Sequence, residues 1–217
     1  MPNKPNVLDL ALSAASLRVP TDGWTPVEGD PHAWFNAVGD SLVRNYFDVP
    51  PDLPPWSGSL DGIRATYREA LGNHGGLVEV ERVGIGGHQA VRALLKVKQP
   101  THGMAYMLVL TFPFRHCSFM VTVQCGEHGM TGMRDAAVAA QLGVQPRGPH
   151  WTCEDGRPWF SDPYDASYIG GMRRNRADDE EYDAPFPDHP LSRVRALLEQ
   201  LRGITLPAAA RTLAPFQ

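Results

Sequence analysis

Few features of this sequence announce a chemistry. Its three cysteines cannot all pair with one another and belong to no repeated framework, which excludes a disulfide-stapled scaffold and suits a reducing compartment. Nowhere does an apolar run approach the ~20 residues of a membrane helix, so no membrane insertion is expected. In the opening stretch MPNKPNVLDLALSAASL, Asp9 interrupts the apolar run that a secretory leader needs. A cytoplasmic location is the resulting expectation. Basic residues are not in excess: 20 Lys and Arg stand against 24 Asp and Glu, a net charge of -4. A protein built to wrap nucleic acid needs a dense basic surface, so nucleic acid is not an expected partner. There is no Gly-x-Ser-x-Gly elbow, no His-Glu-x-x-His helix and no Walker lysine, and no cofactor is called for.

What is present is a globular composition, 42% hydrophobic and 20% charged over 217 residues, enough for one core without staples. A single α+β domain over residues 1–217 is expected. Residues 6–19 alternate as one or two short strands, with a helix over 8–17 as the competing reading. Asp30-Pro31 resembles a helix start, and Trp34, Phe35, Val38, Leu42 and Tyr46 recur at steps that predict a helix to Phe47. Prolines 50, 51, 54 and 55 follow as a rigid loop pinned by Leu53 and Trp56. Ser59 caps a second helix ending before Gly72. Alternating segments at 78–81 and 89–97, separated by Gly84 to Gly87, and at 117–125, with a run apolar on both faces at 106–112 that reads as a central strand, predict an antiparallel sheet. Thr131 caps a helix with a small-residue face, Met133, Ala136, Ala137 and Ala140. Residues 144–187 are an irregular, aromatic-rich excursion, and the charge run Arg173 to Asp183 reads as a solvated loop. Asp188 caps a last amphipathic helix, and residues 207–217 are expected to be a loose tail.

Glu127, His128 and Arg134 stand where a strand gives way to a helix, a place that often forms a ligand-facing rim. The competing reading is that Glu127 and Arg134 pair and tie the loop down. With Tyr164 from the excursion, these residues are the candidate ligand- or partner-binding set, and no catalytic residue is identified. Cys125-x-x-His128 and His150-x-x-Cys153 carry the inventory of a tetrahedral zinc site. Their spacing matches no common zinc module, and Cys125 falls on an apolar strand face where a free cysteine packs as a small hydrophobe.

Leu17-Arg-Val-Pro20-Thr-Asp-Gly23-Trp24 resembles the strand-Pro-x-x-Gly-Trp opening of the PsbP/DcrB-type α/β fold. The order of elements from about residue 6 to 143, and the last helix, is similar too. That resemblance implies a PsbP-like sandwich, an antiparallel sheet with helices packed on it. The helix at 31–47, the proline loop and the 144–187 excursion depart from it. Members of the group include photosystem assembly subunits, lipoproteins, a nuclear-import cofactor and type VI secretion adaptor chaperones. The resemblance therefore implies a non-enzymatic protein-binding factor, such as an adaptor chaperone or an immunity-like protein, with another protein as partner. The alternative is a small-molecule enzyme or binding protein with a pocket between sheet and helices. Partner identity and oligomeric state stay open.

Overall fold

The computed structural model describes residues 12–55 and 58–216. A short 3-10 turn, Ala14–Ser16, leads into β1 (Thr25–Val27), β2 (Asp30–Phe35) and β3 (Ser41–Phe47), then α1 (Leu60–Leu71). β4 (Gly75–Ile85), β5 (His88–Lys98), β6 (Met104–Pro113) and β7 (Ser118–Gly126) follow before α2 (Met133–Gln141). The excursion holds a hairpin, β8 (Gln145–Arg147) with β9 (His150–Thr152), and a short pair, β10 (Phe160–Ser161) with β11 (Arg174–Asn175). α3 (Pro190–Leu201) closes the core, and a 3-10 turn, Ala208–Thr212, follows it. The main sheet is antiparallel throughout, in the order β1-β2-β3-β7-β6-β5-β4. This is the expected α+β architecture.

The helix expected over 31–47 is instead the hairpin β2–β3. Trp34, Leu42 and Tyr46 fit either period, and a turn decides between them. Asn36 accepts the N–H groups of Val38 and Asp40, and Gly39 sits at φ +86, a conformation no helix interior contains. β3 then pairs with β7 from Ser41↔Gln124 to Phe47↔Ser118. Of the one or two strands expected at 6–19, residues 6–11 lie outside the described residues, and residues 12–19 hold the 3-10 turn and a bridge, Arg18↔Thr205. Trp56 also lies outside them.

Strand alternation gives the sheet two chemically different faces. On one, Leu42, Leu94, Leu108, Leu110, Phe112, Phe119, Val121 and Val123 form the main core, closed by Leu191, Val194 and Leu201 of α3. On the other, Ile63, Tyr67 and Leu71 of α1 pack over Leu77, Val80, Val91, Ala93, Leu95 and Val109. α2 does not lie on the sheet through its alanines. Its Val138 packs with Cys153, Trp159, Ala177 and Tyr182 of the excursion in a third cluster. The caps shift by one residue: Gly132, not Thr131, precedes α2, and His189, not Asp188, caps α3 with Pro190 at the first helical position.

The excursion also protects the free edge of β4. Met172 N–H donates to Gly75 O, and Val80 N–H donates to the Tyr164 hydroxyl at 2.6 Å. The approach is so close that a Cβ on Gly76 would stand 1.5 Å from Met172 O. The tail is not loose. Ala210 is buried, Arg115 N–H donates to Ala214 O, and Phe114 bridges to Pro215.

Candidate functional site on the two faces of the sheet

Lys96, Tyr106 and Cys125 are cross-strand neighbours in one row at the end of the sheet. Their side chains rise on the α3 face, where the charge run of the excursion descends to meet them. Asp178 is fully buried there; Lys96 Nζ donates to Oδ2 at 2.6 Å, the Tyr106 hydroxyl donates to Oδ1 at 2.8 Å, and Asn175 N–H adds a third bond at 3.0 Å. Burial alone would raise the Asp178 carboxyl, but Lys96, Asn175 and Tyr106 outweigh it and hold it below the usual carboxylate range. Burial and then Asp178 push Tyr106 well up, and burial and then Asp178 also raise Asp135. The run read as a solvated loop is thus the innermost part of an ionic clasp.

Arg134 is the other half of that clasp and is 1% exposed. Its Nε donates to Ala177 O at 2.6 Å, Nη1 to Asp183 and Ser192 at 2.9 and 2.8 Å, and Nη2 to Asp179 O at 2.9 Å. Glu127 does not pair with it. One carboxylate oxygen of Glu127 accepts Met104 N–H and the other Gly132 N–H, each at 2.8 Å, which fixes the strand-to-helix turn. Arg193 locks the same end of the sheet with a two-point bond to Asp40 and a third to Gly126 O. His189 caps α3 through Nδ1, packs edge-on against Tyr106, and is pushed down to about 4 by burial and by Arg134. Most polar atoms of this cluster are hydrogen-bonded, Asn175 Oδ1 and Arg195 Nε excepted, and such a cluster specifies packing; its charges are spent on one another.

Glu127, His128 and Arg134 do line one groove beside Phe186 and His189. Tyr164 does not join them. It belongs to the α1 face, where the Arg64 guanidinium lies 3.5 Å above its ring. The zinc inventory is likewise dispersed: Cys125 is buried in the main core, Cys153 in the third cluster, and His150 is exposed on β9. Burial, with Asp40 next, drives the Cys125 thiol far up, and burial also raises Cys117, so neither is an activated thiolate.

The surface that sequence reading missed is on the α1 face. Val43, Asn45 and Phe47 of β3, and Ser118, Met120, Thr122 and Gln124 of β7, share that face through their pairing. α1 packs on the β4 side of the sheet and leaves this half open. Phe35 is 45%, Phe47 42% and Val49 59% exposed. Between α1 and the proline loop runs an apolar trough of about 570 Å³, floored by Leu95, Val109 and Met120 and walled by Phe47, Leu53 and Tyr67. Among the described residues of its lining, Asp52 is the one charged side chain, and it is an exposed acid. The basic residues next to the lining in sequence are occupied elsewhere, Arg68 by a two-point bond to Asp162 and Lys96 by Asp178 on the other face. The lining therefore carries a single negative charge. The alternation of residues 42 to 47 was the signal for this surface, once the helix reading is set aside.

No family model and no curated protein matches the chain. Among solved structures it is similar to a Pseudomonas aeruginosa protein of unknown function, at 16% identity over 61% of this chain and 83% of that one, with a TM-score of 0.33. It is also similar to the cyanobacterial PsbP, CyanoP, from Synechocystis, at 13% identity over 58% of this chain and 85% of that one, again with a TM-score of 0.33. These are distant likenesses of fold. The chain is an α+β protein with a weak, fold-level resemblance to PsbP.

Proposed function

We propose that this protein binds another polypeptide on the open half of its sheet, as an adaptor chaperone or an immunity-type factor would. One observation carries the reading: Phe47 and Val49 stand exposed on an apolar trough while the charged residues of the strand-to-helix junction are consumed by internal bonds. Contiguous exposed apolar surface is costly in a free protein and marks an interaction site. Asp52, the charged residue of the lining, favours a partner of matching chemistry, an apolar segment flanked by Lys or Arg. Cys117, Cys125 and Cys153 are all free and buried, which supports a reducing, cytoplasmic setting for the exchange.

A labelled peptide with an apolar centre and lysines at both ends tests this by fluorescence anisotropy. Binding should be saturable, weaken with salt, and weaken again when the flanking lysines become glutamates. Equal affinity for both peptides would contradict the charge argument, and failure of the lysine-flanked peptide to bind at micromolar protein would contradict the site.

A further inference from the structure

α1 stands between the trough and the excursion, and its sequence gives each of them its own flank. Ile63, Tyr67 and Leu71 pack on the sheet. Thr66 and Ala70 line the trough, and at about 100° per residue Arg64 and Arg68 point about 160° away from that pair. The excursion grips this far flank. Arg68 makes its two-point bond to the buried Asp162 at 2.9 and 2.5 Å, and the Arg64 guanidinium lies 3.5 Å above the Tyr164 ring. Among the described residues, Asp162 is the one ion-pair partner that α1 has outside its own turns.

The same segment is anchored on β4. Val80 N–H donates to the Tyr164 hydroxyl, Met172 N–H donates to Gly75 O, and β10 with β11 closes the base of the loop. Glycines admit the backbone here, since a Cβ on Gly171 would stand 2.8 Å from Gly72 O. On the other flank, Phe47, Val49 and Met120 hold apolar surface open to water in the trough. Sliding α1 across the sheet to cover them is a move the hydrophobic effect favours, so an open trough needs a restraint from the opposite side. We infer that residues 162–172 are a strap that holds α1 back toward the β4 edge and keeps the trough open, with Asp162 and Tyr164 as positioning residues for the partner that the trough is read above to bind.

The test places nitroxide labels on the two sides of the trough through Asp48→Cys and Glu69→Cys. Both positions are exposed, and the three native cysteines are buried. Pulsed dipolar spectroscopy then compares the intact strap with the double variant Asp162→Asn, Tyr164→Phe. Asparagine keeps an acceptor for the Tyr164 and Asp165 N–H groups, phenylalanine keeps the ring beneath Arg64, and circular dichroism checks that the variant is folded. The label separation should shorten by about 2 to 5 Å, and the unlabelled double variant should bind the lysine-flanked peptide about tenfold more weakly. An unchanged or longer separation would overturn the strap, because loss of stability alone does not draw α1 over the trough. Shortening without loss of peptide affinity would overturn its positioning role. Shortening in the variant, with no peptide bound by the wild type, would uphold the strap and overturn the polypeptide-binding reading alone.

Discussion

Replacing His189 with asparagine isolates one titrating group at the centre of the ionic clasp. His189 Nδ1 accepts Leu191 N–H at the start of α3, and a protonated ring nitrogen cannot accept. Burial, then Arg134, lowers this imidazole from 6.5 to about 4. The unfolded chain takes up a proton near its ordinary value while the native protein resists it. The contribution is therefore complete above pH 6.5, declines as pH falls through the window down to about 4, and levels off below. Between pH 7 and pH 5 the loss is about 2 kcal/mol. Asparagine is a good N-cap that does not titrate. Urea unfolding at pH 7, 6 and 5 should show the wild type losing about 2 kcal/mol more than His189→Asn. Arg134, Arg193, Asp178, Asp183 and Glu127 face the ring in both proteins, so their titration largely cancels in the difference. A pH-independent difference between the two proteins would refute the reasoning.

Lys96→Met leaves Asp178 buried without its cation and should cost about 3 to 5 kcal/mol in urea unfolding. Arg134→Lys keeps the charge but loses the planar fork that meets Ala177, Asp179, Asp183 and Ser192, and should also destabilise by several kcal/mol, about 3; an unchanged midpoint would return Arg134 to the list of ligand-binding residues. Gly76→Ala drives a Cβ into Met172 O and should detach the excursion from β4, seen as new protease cleavage within residues 162–175. Phe47→Asp, at an exposed site, should leave thermal stability almost unchanged while weakening the lysine-flanked peptide by about tenfold or more.

The sheet was legible wherever alternation, or a short run apolar on both faces, ran without interruption. β5, β6 and β7 read directly from Val91 to Val97, Tyr106 to Phe112 and Cys117 to Cys125, and α1 and α3 from their apolar spacing. β3 was not legible because Leu42, Val43, Tyr46 and Phe47 satisfy a helical step as well as a strand step. The pairing with β7 that settles the matter is made 71 to 83 residues away, from Phe47↔Ser118 to Ser41↔Gln124. Losing β3 also hid the trough, whose wall includes Phe47. At the junction Glu127, His128 and Arg134 line one groove, and the bonds they make depend on distant partners. Arg134 meets Asp183 and Ser192, and Lys96 meets Asp178. No local pattern distinguishes an acidic run that is solvated from one that folds inward onto a lysine on the sheet.

The most direct measurement is hydrogen–deuterium exchange of the full-length protein with and without the lysine-flanked apolar peptide. Binding on the open half of the sheet predicts new protection over β3, residues 45–53 and the last turns of α1, with exchange at residues 127–134 and 185–190 unchanged. Protection confined to those two junction segments, with β3 and α1 unaffected, would contradict the assignment of the binding face.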